Sequence, residues 1–476
     1  MSAPDTAAWK HWLQQLSRNY SESAWRFPVL GFALLTAYLG PFFLLRGMRG
    51  VLLSAGLAFL AIAFSVCFAN PFPTLLAALF LSFSSLDWNI PGPVSYGLLS
   101  IVLARVLFEL LGNKRIDLGT GIFRASLAVL LAVSLTSLLF ARRLDYAFVE
   151  GEMILQGLAY LICISYLADR PSRVLLLMQA VILGAALAIV LASKELVASG
   201  GLALLGTRYA PRVGATGWNA NVGAMISICL LPFVAFLVSR ARKTMQVFWL
   251  LISVLLVGSV VLSASRMGVG VLAVVILLLT LRYRKLAILV IIACITLAVF
   301  LPPAYWTRFI SIGQLGGIVI DESLRLRQHA LEATLDLFRS HPWTGIGLGN
   351  VYAEMGRYMS SPKVAHNTYA GMLASLGIFG FLAYIFWFGS GIQMALRAWR
   401  LSGIGQRDAA KTLTWMILIS MLALLMTFTA LDLGFHQMVW LLLAFANAMR
   451  VIAEKGSTWN GENPGSTSDH SSLIPR

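Results

Sequence analysis

His366 lies where a long polar stretch of the chain gives way to an apolar run, and Asn367 follows it directly. An imidazole can accept a proton near neutral pH, which is what a hydroxyl group needs before it can act as a nucleophile. The candidate catalytic residue is therefore His366, acting as a general base. The structural alternative is a polar loop histidine that takes no part in chemistry.

Three arginines near the ends of apolar runs could bind an anion. Arg208 and Arg212 precede one run, and Arg266 stands in the turn S-R-M-G between two others. A guanidinium at membrane depth is costly and needs a partner, and its planar fork matches the oxygens of a diphosphate. These arginines are the candidate diphosphate-binding residues. The alternative is that each side chain extends toward lipid phosphates.

Glycine and polar residues accompany these candidates. The glycine-rich stretch 341–350 would let the backbone approach a bulky ligand or a neighbouring helix closely. Apolar residues recur at helical spacing from Asp321 to Arg339, which predicts an amphipathic helix there. Its polar face is the structural explanation for Arg325. The residues given supporting roles are Asn367, Ser265, Gly345, Gly347, Asn219, Asn221 and Arg325.

The sequence carries no motif for a metal or a nucleotide cofactor. The patterns H-E-x-x-H, D-x-D, the P-loop and G-x-G-x-x-G after a strand are all absent. Asp321 and Glu322 form a lone acidic pair, and the four cysteines lie inside apolar runs without C-x-x-C spacing. We therefore expect no metal and no cofactor.

The chain that must position these residues is strongly apolar. Of its 476 residues, 59% are hydrophobic and 12% are charged, and the mean hydropathy is +0.81. Apolar runs of about 18 or more residues recur, each long enough to cross a membrane. The predicted fold is all-α: a polytopic transmembrane helical bundle of about 12–14 spans with a long periplasmic loop containing helices.

The basic residues indicate how the chain is oriented. The net charge of +16 comes from short Lys/Arg clusters between apolar runs, and from Asn113 onward the clusters fall on one side. The positive-inside rule assigns that side to the cytoplasm, so nucleic acid is not the expected partner and the candidate residues lie at the outer face of the membrane. The predicted segments are a cytoplasmic or interfacial N-terminal segment at 1–27, transmembrane helices at 28–301 with a periplasmic loop at 194–217, a large periplasmic loop at 302–367, transmembrane helices at 368–451, and a disordered cytoplasmic tail at 452–476.

Taken together, these clusters resemble the O-antigen ligase and O-antigen polymerase superfamily of bacterial inner-membrane proteins. His366 and Asn367, nine residues, Gly377, two residues and Gly380 fit the ligase-associated pattern H-[NSQ]-x9-G-x-x-[GTY]. The stretch H-P-W-T-G-I-G-L-G-N looks like the signature P-x-x-G-x-G, and S-R-M-G fits the turn S-R-x-G. The element R-x-x-G-x-x-x-N-P-N is matched more loosely at Arg212, with glycine one position early and alanine replacing proline.

The resemblance implies a metal-independent, inverting glycosyltransferase that moves a glycan from undecaprenyl diphosphate to an acceptor hydroxyl at the periplasmic face. In that picture His366 activates the hydroxyl, while Arg266 and Arg212 stabilise the departing lipid diphosphate. The expected partners are the lipid-linked glycan donor, lipid A-core or a growing glycan as acceptor, and membrane lipids.

Two other functions stay open at this point. A polymerase would extend the glycan on its own lipid carrier, and the nine-residue spacing after His366-Asn367 favours the ligase. A lipid-linked oligosaccharide flippase would have broken helices in two related halves and charged residues near mid-membrane. The arginines and histidine of this chain gather at one membrane face instead, which favours an enzyme.

Overall fold

The computed structural model describes residues 62–86, 94–112, 114–198, 220–284, 322–358, 366–402 and 406–456, with a few isolated positions between 288 and 299. In this part of the chain the structure is helical and contains no strand. The predicted all-α, polytopic helical bundle is confirmed. The helices in chain order are α1 (Ile62–Ala69), α2 (Pro71–Phe83), α3 (Val94–Leu111), α4 (Gly121–Ser137), α5 (Leu144–Leu167), α6 (Pro171–Ala198), α7 (Ala220–Arg240), α8 (Lys243–Leu262), α9 (Arg266–Thr280), α10 (Glu322–Ser340), α11 (Val351–Met355), α12 (Thr368–Leu401), α13 (Gln406–Thr427) and α14 (Gln437–Glu454).

Eight helices in the described ranges are long and apolar enough to cross a membrane: α3, α5, α6, α7, α8, α12, α13 and α14. The number is nine if α1 and α2, which meet at 107°, are one bent span. α4 and α9 are shorter apolar helices. Of the predicted transmembrane segment at 28–301, residues 28–61 and most of 285–301 lie outside the described residues. The chain is a multi-pass membrane protein.

Two helices, α7 and α14, form the centre of the bundle. α7 is buried without interruption at 220–238 and α14 at 437–450. A helix that is apolar around its whole circumference needs neighbours on all sides. α14 accordingly packs against α5, α12 and α13, and α7 packs against α8, α9 and α13. The rings of Trp387 on α12 and Trp440 on α14 join this core, with centroids 4.5 Å apart.

The ends of α12 define two ends of the bundle. This helix has 34 residues, which places its termini roughly 50 Å apart if it were straight. We call the end that contains the start of α12 the His366 end, and it gathers residues 137–150, 341–350, 366–377 and 428–436. We call the other end the Arg450 end, and it gathers residues 114–124, 165–169, 397–401 and 450–456. Hydrogen bonds between Leu348 N–H and Ser137 Oγ at one end, and between Asn447 Nδ2 and the Asp117 carbonyl at the other, show these groupings.

Candidate active site

His366 lies immediately before α12, in a turn with a positive backbone angle. Its φ is +49°, in the left-handed region that few non-glycine residues adopt and that is enriched at functional sites. Asn367 is the N-cap of α12, and its side-chain oxygen accepts a hydrogen bond from Ala370 N–H at 3.1 Å. The cap satisfies an N–H group that the first turn leaves without a helical partner. The half-buried His366 is thus fixed by a turn and a cap at the start of a helix.

Nine residues separate Asn367 from Gly377, where α12 is interrupted. Gly377 has φ 65° and ψ −171°, so a short first segment, 368–376, is set off from the rest of the helix. The spacing in the sequence motif is therefore the length of this short segment. Such a break leaves backbone N–H and C=O groups that another part of the chain must satisfy.

The loop at 341–350 satisfies those groups. Three backbone hydrogen bonds join it to the break: Ile346 N–H to Ala374 C=O at 2.9 Å, Gly347 N–H to Ser375 C=O at 3.1 Å, and Ile378 N–H to Pro342 C=O at 2.9 Å. We call this contact between residues 341–350 and 374–378 the glycine clamp. It fixes the large loop to the helix that begins beside His366.

Two glycines of the clamp lie too close to opposing backbone to be replaced. Gly345 has φ +66°, and a Cβ added there would lie 2.3 Å from the Ser375 carbonyl oxygen. A Cβ at Gly377 would lie 2.3 Å from the Trp343 carbonyl oxygen. Only glycine fits both the left-handed backbone and the close approach. The backbone approach anticipated for the glycine-rich stretch is made here to a neighbouring helix.

The far side of the same loop is attached to the connection between α4 and α5. A Cβ at Gly347 would lie 2.7 Å from the Cα of Ala141. The side chain of Asn350 bonds both backbone groups of Arg143, accepting from its N–H at 2.8 Å and donating to its C=O at 3.3 Å. Gly347 and Asn350 therefore hold the loop between two layers of helices.

Ser265 and Arg266 form a second helix start. Ser265 is the buried N-cap of α9, and its Oγ accepts a hydrogen bond from Gly268 N–H at 3.1 Å. Arg266 is the half-buried first residue of α9. Gly268 allows close packing of this turn against α7, because a Cβ there would lie 3.1 Å from that of Ala224. The S-R-x-G turn is thus a capped helix start, and the cap fixes the backbone position from which the Arg266 side chain extends.

Arg266 lies at the His366 end of the bundle. Arg282, just beyond α9, donates to Thr412 Oγ1 near the start of α13 at 3.0 Å, and α9 and α13 pack together. Arg266 lies sixteen residues before Arg282 along α9, and Phe428 lies sixteen residues after Thr412 along α13. Each separation corresponds to a rise of about 24 Å. Arg266 is therefore level with Phe428, whose C=O accepts from Thr368 N–H at 2.8 Å. The helix starts that carry Arg266 and His366 belong to one end of the molecule.

Comparison with known families agrees with this arrangement. Residues 251–385 match the family model described as O-antigen ligase. Residues 251–385 are therefore similar to O-antigen ligases, and we call this segment the ligase domain. The predicted resemblance to the O-antigen ligase and polymerase superfamily is confirmed, and with it a glycosyltransferase-like class that acts in lipopolysaccharide biosynthesis. A comparison with curated proteins finds no match.

The ligase domain contains the capped turns at Ser265-Arg266 and His366-Asn367 and the whole glycine clamp. Asn221 lies before the domain, buried in the first turn of α7. Arg208, Arg212 and Asn219 fall outside the residues that the structure describes.

Arg325 lies inside the ligase domain on α10, where an amphipathic helix was predicted. Its side chain is exposed. α10 packs on α12 through Ala333 and Leu337, which join Ile346 and Ala374 in a small apolar cluster beside the clamp. The helix is therefore positioned by its apolar face, while Arg325 lies on the solvent side.

Two carboxylates beyond the ligase domain also lie at the His366 end. A Cβ added at Gly371, in the first segment of α12, would lie 2.7 Å from Oδ1 of Asp432. Burial raises the pKa of Asp432 to about 7. Glu150 on α5 is close enough to interact electrostatically with Asp432. Sequence reasoning missed Glu150, because a single glutamate inside an apolar run gives no sign of its partner.

A loop rather than a helix end positions Asp432. Asp432 and His436 are four residues apart, but α14 begins only at Gln437, so the two side chains do not share a helix face. His436 is instead the N-cap of α14, with Nδ1 accepting from Met438 N–H at 3.1 Å. Thr368 holds the Asp432 loop, donating to Leu431 C=O at 2.7 Å and accepting from Leu433 N–H at 3.0 Å. Asp432 is thereby tied to the residue that opens α12.

Proposed function

We propose that this protein transfers a glycan from undecaprenyl diphosphate to an acceptor hydroxyl, with lipid A-core as the acceptor, at the periplasmic face of a bacterial inner membrane. The observation that carries the proposal is the placement of two capped helix starts, at Ser265-Arg266 and His366-Asn367, at one end of the bundle within the ligase domain. One supplies a permanent cation, and the other supplies an imidazole.

The proposed reaction is a single displacement. His366 takes the proton of the acceptor hydroxyl, and the oxygen attacks the anomeric carbon of the lipid-linked sugar. The bond between that carbon and the diphosphate oxygen breaks, its electron pair stays on undecaprenyl diphosphate, and the anomeric configuration inverts. Negative charge grows on the leaving group as the bond breaks, so a preorganised cation at that point stabilises the transition state most.

Arg266 is the best supported cation for this task. A guanidinium stays charged at every relevant pH and presents paired donors that match phosphate oxygens. The S-R-x-G cap sets its position at the start of α9. Arg212 and Arg208 are proposed as further diphosphate-binding residues from the sequence pattern. Asn367 supports the site as the cap of α12, and Gly345 and Gly347 support it through the glycine clamp. Asn221 is proposed as a further supporting residue, and Arg325 is proposed to contact the glycan from the exposed side of α10.

The deciding experiment uses the purified protein in nanodiscs with undecaprenyl-diphosphate glycan, with and without lipid A-core. Glycan attached to lipid A-core is the expected product. Longer lipid-linked glycans formed without lipid A-core would replace the ligase proposal with a polymerase. Protein that is folded but forms neither product would contradict both, and a flippase assay in vesicles would then be the next step.

A further inference from the structure

The Arg450 end of the bundle contains a cavity of about 670 Å³. It lies between the start of α4, the end of α5 and the ends of α12 and α14, on the opposite side of the molecule from His366. Five basic and three acidic side chains line it. The cavity therefore has an excess of positive charge. Because it lies at the opposite end of the bundle, it is not part of the site described above.

Ion pairs neutralise the acidic side chains of the cavity. Arg450, whose side chain is 6% exposed, bonds Asp117 at 2.7 Å and Glu454 at 2.6 Å. Arg397 also bonds Glu454, at 2.8 Å. The third acid, Asp169, is paired with Arg173 outside the cavity lining, at 3.2 Å. These contacts leave no carboxylate of the cavity lining without a cation.

Three basic side chains at the rim are different. Arg115, Arg124 and Lys455 are exposed, and in the described part of the chain none of them has a carboxylate oxygen within 4.0 Å. Arg124 lies in the first turn of α4, which contains no acidic residue. The partial positive charge at this helix N-terminus adds to that of the three side chains. The rim therefore carries three positive charges beside a cavity of about 670 Å³.

We propose that this cavity binds the phosphate of an anionic phospholipid headgroup. The position favours a lipid over a free phosphate, because the cavity lies at the ends of helices that cross the membrane. Two residues from Arg397, Trp399 on α12 contacts Trp415 on α13 in a tilted arrangement with ring centroids 6.3 Å apart, and Lys411 lies over the Trp399 ring. Tryptophan and lysine at helix ends are typical of the headgroup layer, and basic pockets between helices bind anionic headgroups.

The test measures lipid binding to the delipidated full-length protein by native mass spectrometry, with phosphatidylglycerol as the probe and phosphatidylcholine as the neutral comparison. The variant Arg115→Gln/Arg124→Gln/Lys455→Gln should weaken phosphatidylglycerol binding about tenfold or more. The matched control, Arg242→Gln/Lys243→Gln/Arg284→Gln, removes the same charge from exposed positions at the same end but outside the cavity. It should change the affinity less than about twofold.

Each alternative outcome overturns the proposal in a distinct way. Equal losses in both triple variants would mean attraction to the whole basic surface rather than to the cavity. Unchanged binding in the cavity variant would remove the site altogether. Full displacement of phosphatidylglycerol by millimolar inorganic phosphate would identify a free-phosphate site. Circular dichroism and thermal unfolding of all variants verify the fold, and the result does not depend on the transferase activity.

Discussion

The two ends of this bundle are held together by different kinds of bond. At the His366 end, the glycine clamp joins a loop to a broken helix through backbone hydrogen bonds and glycine contacts. At the Arg450 end, a buried arginine joins α14 to the segment before α4 through ion pairs. A backbone clamp fixes the loop without using side-chain charge, so charged groups nearby can serve a ligand. The ion pairs of the other end consume most of the charge that they bring together.

The largest expected effect is on turnover at the His366 end. Replacing His366 by asparagine should lower glycan transfer about 10²- to 10⁴-fold, because the acceptor hydroxyl loses its base. Asparagine tolerates the left-handed backbone of this position better than most residues, so the fold should be kept. Transfer is measured on reconstituted protein, with thermal unfolding as the check on folding.

His341→Asn is the matched control for that experiment. His341 is exposed in the same large loop, with Ser340 Oγ 2.9 Å from its Nδ1. Its replacement should leave transfer unchanged. Normal activity of the His366 variant would remove the general-base assignment, and equal losses in both variants would point to a general need for the loop.

Breaking the clamp should cost stability as well as activity. Gly345→Ala places a Cβ against the Ser375 carbonyl at a positive φ, which should lower the free energy of unfolding by about 3 kcal/mol. Gly389→Ala in α12 is the control, since the added Cβ would meet nothing within 4 Å. Thermal unfolding in detergent compares the two. If both alanines are tolerated equally, the clamp does not hold the loop in the way inferred.

Removing the ion pairs of Arg450 at the opposite end should reduce stability but leave turnover unchanged. Arg450→Gln leaves Asp117 without its cation and Glu454 with Arg397 alone, which should cost about 1–2 kcal/mol of unfolding free energy because both carboxylates are partly exposed. Arg339→Gln removes an exposed pair with Asp336, and its effect should be close to the limit of measurement. Turnover per folded Arg450→Gln molecule should stay near that of the wild type. A selective loss of turnover would show that the two ends are coupled.

The features that depend on residues close together in the sequence could be predicted from it. Apolar runs predicted the bundle, helical spacing predicted α10, and the change from polar to apolar sequence placed Ser265-Arg266 and His366-Asn367 where apolar runs begin. Each of these signals depends on residues a few positions apart, so one stretch of chain is enough to recognise it.

The contacts between residues far apart in the sequence could not be predicted from it. The clamp depends on Gly345 lying against Ser375, and the carboxylate pair depends on Glu150 lying near Asp432. In both cases the partners come from separate helices or loops, and periodicity carries no information about which helices become neighbours. The pairing of Arg450 with Asp117 was missed for the same reason.

A substitution with a smaller expected effect on turnover tests whether Arg266 acts through its paired guanidinium donors or through its positive charge alone. Arg266→Lys keeps the positive charge but loses the paired, planar donors, and should lower transfer about tenfold. Arg242→Lys, at an exposed position of the Arg450 end, is the control and should have no effect. Full activity of Arg266→Lys would mean that charge alone suffices, and Arg266→Gln would then show whether even the charge is needed.

The smallest expected effect is a pH dependence confined to the His366 end. Burial raises the pKa of Asp432 from its ordinary value of 3.8 to about 7. The folded state therefore keeps this proton where the unfolded state has lost it, so its contribution to stability is present at low pH and is lost as pH rises toward about 7. Asp432→Asn cannot ionise, so its unfolding temperature minus that of the wild type should increase between about pH 5 and about pH 8. Asp336→Asn, an exposed carboxylate on α10, should show no such trend. A flat difference for Asp432→Asn would mean that the carboxylate stays ionised in the folded protein, as a permanent anion at the His366 end rather than a group that binds a proton near neutral pH.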